Sequence, residues 1–206
     1  MQDLAQENMP AFDEEIIRRV LAGEKRAYAE LVDRHKDKAM TLALRMLRNR
    51  EEAEEAIQDA FVRAFRALPR FEWKSSFTTW FYRIVYNTCV SSLGRRAEAV
   101  LVSLDDDEVE SVDAPSDDPT PEAQLTSHEI QSAVQDAIEN LPESYAGILT
   151  LFFVNDMSYE QIVEVTGLSL SAVKVRLFRG RVMLRRAVTR RLGASEVPSS
   201  RADQEG

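Results

Sequence analysis

Residues 49–69, NREEAEEAIQDAFVRAFRALP, carry the clearest fold signal in the chain. Apolar side chains recur there every three or four residues and form one stripe, which is typical of an amphipathic helix with a buried face. Asn49 followed by Glu52 predicts an amino-terminal capping box, and Pro69 predicts the end of the helix. The stripe consists of Ala53, Ala56, Ile57, Ala60, Phe61, Ala64, Phe65 and Leu68. Charged and polar side chains lie on the opposite face.

The segments on both sides of this stretch are also predicted to be helical. Asp13 is expected to cap a short helix that Gly23 closes, and a longer helix then precedes the quoted stretch. A fourth helix is expected from about Ser76 until Gly94 ends it. Further helices are expected over 125–140, from Pro142 to Phe153, over Tyr159–Val165 and over 170–191. No segment has the pattern of a strand, so the chain is predicted to be all-α.

The net charge of −9 hides an uneven distribution. Residues 103–124 hold nine acidic residues and no lysine or arginine, whereas residues 171–191 hold eight basic residues and no acid. With its prolines and scattered apolar residues, segment 97–124 is predicted to be an acidic flexible linker. It is expected to join two small helical domains, 1–96 and 125–191, and a disordered tail is expected over 192–206.

Several classes of function are disfavoured by the composition. One cysteine and two histidines predict no disulfide and no metal site, and Cys89 is interpreted as a small core residue. Neither a phosphate-binding loop nor a nucleophile–base pair is recognisable, so we expect no enzyme activity and no cofactor. The acidic amino terminus and the lack of a long apolar run predict a cytoplasmic protein without membrane insertion.

Residues 71–86, FEWKSSFTTWFYRIVY, contain seven of the sixteen aromatic residues and several cations nearby. Aromatic faces stack on unpaired bases, each worth about 1–3 kcal/mol, so the segment is a candidate for binding single-stranded DNA. Core packing is the alternative for Phe77, Trp80 and Phe81. It explains less well a set of four aromatic residues that are expected in a loop or on the opposite face of the helix: Phe71, Trp73, Tyr82 and Tyr86.

Residues 158–181, SYEQIVEVTGLSLSAVKVRLFRGR, have the outline of a helix-turn-helix. Ser158 with Gln161 predicts a capping box, and Ser169 is expected to cap a second helix whose basic face fits a major groove. A helical hairpin with a solvated basic face remains the alternative. Gly180 is expected to weaken this helix, as an exposed position, by up to about 1 kcal/mol relative to alanine.

The chain resembles the extracytoplasmic-function sigma factors over about 16–96, their region 2, and 125–190, their region 4. The resemblance is carried by NREEAEEAIQDAFVRAFRALPRF, SSFTTWFYRIVYNTC, LPESYAGILTLFFVNDMSYEQIVEVTGLS and SAVKVRLFRGR, in that order. It implies a region 2-like bundle and a region 4-like helix-turn-helix. The implied partners are core RNA polymerase, through its β′ clamp and β flap, duplex and single-stranded promoter DNA, and an anti-sigma factor.

The resemblance also assigns three sets of residues. Polymerase binding is assigned to Glu55, Gln58, Asp59, Val62, Arg63 and Arg66. Binding of the −10 element is assigned to Phe71, Trp73, Lys74, Ser76, Thr79, Trp80, Tyr82, Arg83 and Asn87. Binding of the −35 element is assigned to Ser171, Lys174, Val175, Arg176, Phe178, Arg179 and Arg181. The alternative function is a helix-turn-helix regulator that binds duplex DNA without polymerase and uses residues 1–96 for dimerisation or sensing.

Overall fold

The computed structural model describes residues 9–100, 136–138 and 140–194, with side chains over 12–95, 136–138 and 140–192. Within these ranges the chain is helical and contains no strand, as predicted. The α-helices bounded within these ranges are α1 (Met9–Leu21), α2 (Tyr28–Leu47), α3 (Arg50–Ala67), α4 (Phe77–Val100), α5 (Glu143–Phe153), α6 (Tyr159–Thr166) and α7 (Leu170–Ala194). Short 3-10 turns at Lys25–Ala27 and Leu68–Arg70 precede α2 and follow α3.

Helix α3 lies between α2 and α4 and confirms the stripe that the sequence predicted. The residues of that stripe are buried apart from Phe65, which packs edge-on against Tyr28 with ring centroids 4.9 Å apart. The Tyr28 hydroxyl donates a hydrogen bond to the Phe61 carbonyl at 2.8 Å. At the start of the helix, the Asn49 side chain accepts a hydrogen bond from the Glu52 amide at 3.1 Å, which satisfies one otherwise free amide.

Asp13 does not cap the first helix, and that prediction was wrong. The helix begins four residues earlier, at Met9, so Asp13 lies inside α1 and is only 1% exposed. Its Oδ2 is 2.9 Å from His35 Nε2, and its Oδ1 is 3.1 Å from Arg34 Nε. The carboxylate therefore ties α1 to α2 through a buried polar contact.

Two glycines were misjudged. Gly94 does not end α4, which continues to Val100, so the first residues of the predicted linker are helical. Residues 101–135, which include most of the predicted 125–140 helix, lie outside the described residues. Gly180 is buried and lies against Leu149 of α5, where a Cβ atom would be 2.9 Å from Leu149 Cδ1. It allows α7 to approach α5 closely, rather than weakening an exposed helix.

The second half confirms the helix-turn-helix outline. Ser158 and Gln161 form both hydrogen bonds of a capping box at the start of α6, and Gly167 ends α6 with φ +73°. The Ser169 hydroxyl oxygen accepts a hydrogen bond from the Ala172 amide at 3.2 Å and caps α7. Pro142 immediately precedes α5. The predicted tail, 192–206, is described only to Ala194, where α7 ends.

The two halves pack against each other, which the sequence did not predict. Helix α5 contacts α2, and α6 contacts α4, so one core runs through both halves. None of the described helices is long and apolar enough to cross a membrane. The described residues also contain no group of acidic, histidine or cysteine side chains suited to holding a metal ion.

Candidate nucleic-acid interface

The loop between Phe71 and Ser76 and the start of α4 form an aromatic cluster. Ser76 Oγ accepts a hydrogen bond from the Thr79 amide at 3.1 Å, which caps α4 and anchors the loop. The Phe71 ring lies 4.9 Å from Trp73 and 5.1 Å from Trp80, measured between ring centroids. Phe71 is buried and packs against both indole rings, and each indole remains partly exposed to solvent.

Trp73 combines an unusual backbone conformation with an exposed side chain. Its backbone is left-handed, with φ +58°, and its side chain is 42% exposed. The Arg18 guanidinium of α1 sits 5.9 Å from the ring centroid, within reach of a cation–π interaction. Glu14, Arg18, Leu21 and Trp73 line an open cleft of about 420 Å³. The contribution of α1 to this surface was not predicted, because nothing in the local sequence pattern brings Arg18 near the loop.

Two aromatic residues of the segment are not where the sequence suggested. Phe71 and Tyr82 were expected to be poorly explained by a core, but they are 7% and 1% exposed. Phe71 is buried because the loop folds back over α4. Tyr82 is buried because the second half covers that face of α4, and burial raises the pKa of its hydroxyl. In this conformation neither ring is available to an unpaired base.

The other candidate −10 residues divide by exposure. Trp73, Lys74, Arg83 and Asn87 are exposed, whereas Ser76 and Trp80 are half-buried. Thr79 is buried, and its hydroxyl oxygen accepts a hydrogen bond from Gln161 of α6 at 3.3 Å. The exposed members combine one indole, one amide and two cations, the groups that stack on bases and hold a nucleic-acid backbone.

The polar face of α3 is available, as predicted. All six candidate polymerase-binding residues are exposed or half-buried. Asp59 and Arg63 form an ion pair at 2.8 Å, and Val62 is a 45% exposed apolar residue beside them. A protein partner that docks here would meet a small apolar contact surrounded by charges, which is a common composition for an interface.

The basic face of α7 is also as predicted. Val173 and Leu177 are buried, whereas Ser171, Lys174, Val175 and Phe178 are exposed and Arg176 and Arg179 are half-buried. Phe178, at 63% exposure, and Val175, at 46%, stand among the cations and are suited to contact thymine methyl groups.

Two arginines on α7 have further neighbours. The Arg181 guanidinium stacks 5.1 Å from the ring centroids of Phe152 and Phe153, so it is engaged within the second half. Arg176 lies near Tyr86 of α4. Burial raises the pKa of Tyr86, and the charge of Arg176 opposes that shift.

The chain matches two known families in sequence. Sigma-70 region 2 matches residues 31–98, and Sigma-70 region 4 matches residues 131–184. Among curated proteins, the RNA polymerase sigma-H factor of Pseudomonas aeruginosa is 36% identical over 180 residues, covering 85% of this chain and 93% of the relative. The ECF RNA polymerase sigma factor SigW of Bacillus subtilis is 32% identical, covering 82% of this chain and 93% of the relative.

Solved structures share the fold. CnrH in complex with the cytosolic domain of CnrY matches with a TM-score of 0.56 at 20% identity, covering 90% of this chain and 99% of that one. The sigma factor RpoE in complex with the anti-sigma factor NepR, from Bartonella quintana, matches with a TM-score of 0.57 at 20% identity, covering 79% and 96%. At this identity the likeness establishes the two-part helical architecture.

Proposed function

This chain belongs to the extracytoplasmic-function sigma factors of the sigma-70 family, and from that premise we propose which of its surfaces binds the polymerase and which bind the promoter. As a sigma factor it binds core RNA polymerase and directs promoter recognition and DNA melting. The observation that carries the proposal is the presence of three separate exposed surfaces on one chain. These are the polar face of α3, the aromatic surface of Trp73, Trp80, Arg83 and Asn87, and the basic face of α7.

The polar face of α3 is proposed to dock on the β′ clamp of the polymerase, and the second half on the β flap. Val62 supplies the apolar contact, and the Asp59–Arg63 pair supplies charges around it. The apolar stripe of the same helix is buried in the bundle, so docking needs no rearrangement of the core. The chain carries no chemistry of its own in this scheme; it works by binding, in the cytoplasm, where polymerase and promoters are.

The aromatic surface is proposed to hold the unpaired −10 element. Trp73 and Trp80 offer ring faces for stacking, Lys74 and Arg83 attract phosphates, and Asn87 offers an amide to a base edge. The basic face of α7 is proposed to read the −35 element in the major groove. Arg176 and its neighbours would contact base edges, and the cations further along the helix would contact phosphates. Both solved relatives are in complex with a second protein, in one case called an anti-sigma factor, which supports such a partner for this chain.

The test separates the three surfaces by single substitutions. Val62→Glu should lower the affinity for core polymerase, since it places a charge in the apolar contact. Asn87→Ala should leave polymerase affinity unchanged and slow promoter opening. Arg176→Ala should weaken −35 recognition by about 1–3 kcal/mol if it contacts a base.

The readouts are co-elution with core polymerase without DNA, and permanganate footprinting of the melted strand. Val90→Ala is the matched control on α4, because Val90 is 44% exposed and belongs to none of the three surfaces. Equal loss of polymerase affinity in all three variants would overturn the division of labour. A protein that never binds core polymerase yet shifts duplex DNA would instead support the helix-turn-helix regulator.

A further inference from the structure

A buried ion pair joins α1 to α2 next to the aromatic cluster. Asp13 of α1 is 1% exposed and His35 of α2 is 2% exposed. Asp13 Oδ2 lies 2.9 Å from His35 Nε2, and Asp13 Oδ1 lies 3.1 Å from Nε of the partly exposed Arg34. An ionised carboxylate only accepts hydrogen bonds, so His35 Nε2 carries the proton and donates it. The imidazole is therefore held by a directional, charge-assisted bond.

The His35 ring also packs against the start of α4. Its centroid lies 5.3 Å from that of Phe77, at an interplanar angle of 62°, and 5.7 Å from that of Phe81. Phe77 is the first residue of α4 and is 4% exposed. Because the bond to Asp13 restricts rotation of the imidazole, it also fixes which edge of that ring meets Phe77.

Further ring contacts connect Phe77 to both tryptophans. The Phe77 centroid lies 5.7 Å from that of Trp80 and 6.3 Å from that of Phe71. The Phe71 centroid in turn lies 4.9 Å from that of Trp73. Aromatic pairs at such distances prefer offset or edge-on angles over arbitrary ones. The orientation of the His35 ring therefore bears on the placement of both indoles.

Helix α1 reaches the same cluster by a second route. The Arg18 guanidinium lies 5.9 Å from the centroid of the Trp73 ring. Asp13 and Arg18 belong to one helix, so a shift of α1 would disturb both contacts together. Helix α1 thus supports the loop from the interior, through His35, and from the surface, through Arg18.

Stability alone does not explain the buried pair. Replacing a buried ion pair with apolar residues of similar size is often neutral or stabilising, whereas removing one partner is costly. Apolar residues could fill the space beside Phe77 and Phe81, but they cannot supply a directional bond that selects one ring orientation. Such an orientation matters where rings must stack on unpaired bases, because a ring that is already placed loses less freedom on binding.

We propose that Asp13 and His35 are positioning residues for capture of the unpaired strand. Their buried bond holds Phe77, and Phe77 holds the two indoles in the orientation that stacks on bases. The inference rests on the proposed function, since it concerns how the −10 surface is arranged. It predicts that loss of the bond slows promoter opening without lowering stability or polymerase affinity.

An apolar replacement of the pair separates positioning from packing. Asp13→Leu combined with His35→Phe keeps the approximate volume and the ring, and removes only the directional bond. Urea denaturation should show this double variant to be at least as stable as the unmodified protein, and co-elution should show unchanged affinity for core polymerase. The matched control, Arg19→Gln with Glu30→Gln, removes an exposed ion pair at 3.0 Å between the same two helices.

Intrinsic fluorescence reports on the cluster directly, because Trp73 and Trp80 are the only tryptophans in the chain. Acrylamide should quench the emission of the double variant more strongly than that of the unmodified protein, since indoles that are free to rotate expose more of their surface. The control variant should be quenched like the unmodified protein. A merely structural role would leave quenching unchanged in a double variant of full stability, and that result would contradict the proposal.

Promoter opening is measured at the strongest transcript start that the unmodified protein and core polymerase give on genomic DNA of the encoding bacterium. Permanganate reactivity of the melted strand gives the rate. Loss of good stacking at one base should slow opening at least about fivefold in the double variant, whereas the control should open at the unmodified rate. A stable double variant that opens promoters normally, while Trp80→Ala opens them slowly, would overturn the proposal. Normal opening by Trp80→Ala would instead count against the proposed function of the −10 surface.

Two single variants decide the question should the double variant fail to fold. His35→Gln keeps a donor for Asp13 but has no ring, so it should slow opening as much as the double variant is expected to. Asp13→Asn keeps an oxygen that accepts the hydrogen bond from Nε2, so it should open promoters near the unmodified rate. Equal opening rates for these two variants would mean that the orientation of the ring has no effect on strand capture, and would overturn the proposal.

Discussion

Replacing Gly180 with alanine should destabilise the second half, although alanine is the better helix former. The new Cβ would lie 2.9 Å from Leu149 Cδ1 and 3.2 Å from Leu149 Cγ. Leu149 is only 6% exposed, so it has little freedom to move aside. Alanine favours the helix by about 1 kcal/mol, whereas overpacking costs about 1–3 kcal/mol. The expected net loss is about 1 kcal/mol in the free energy of unfolding.

Urea denaturation followed by circular dichroism measures this change, with Gly94→Ala as the reference. Gly94 also lies in a helix, but its Cβ would meet no described atom within 4 Å, so alanine should stabilise there by about 0.5–1 kcal/mol. A double variant separates the clash from other effects. Leu149→Ala alone should cost about 2–5 kcal/mol, and adding Gly180→Ala to it should then cost nothing or gain, because the clashing atoms are gone.

Close packing at Gly180 is refuted if Gly180→Ala stabilises the protein as much as Gly94→Ala, or if the Gly180 and Leu149 substitutions are additive. Either result would mean that α7 does not rest on α5 at this point. The consequence extends to function, since the same contact orients the basic face of α7 relative to the rest of the second half.

Three further outcomes follow from buried polar groups. Asp13→Ala should lower the free energy of unfolding by about 3 kcal/mol in chemical denaturation, because it removes the partner of His35 and Arg34; a loss below 1 kcal/mol would contradict this. Tyr82→Phe should be neutral or slightly stabilising in the same assay, since its hydroxyl is buried without a hydrogen bond among the described residues, and a clear loss would show a missed partner. Cys89 should resist a thiol reagent at pH 8 and react once unfolded, because burial raises its pKa to about 12; rapid native labelling would contradict the buried position.

Much of the local structure could be predicted from the sequence. The stripe of α3, the Asn49 cap, the Ser158–Gln161 capping box and the turn at Gly167 all appear where the pattern placed them. These features involve residues three or four apart, and helix geometry alone brings such residues together. The exposed basic face of α7 could be predicted for the same reason, because Val173 and Leu177 mark its buried side.

The sequence by itself therefore determined the helices, their caps and the faces that carry aromatic or basic residues. Only the tertiary structure decided which of those residues are covered. Asp13 meets His35 across 22 positions, Thr79 meets Gln161 across 82, and Arg45 meets Thr150 across 105. Burial depends on which distant helix packs on a face, and helical periodicity contains no information about that partner. For this reason the burial of Tyr82, the close contact at Gly180 and the packing of the two halves against each other appeared only in three dimensions.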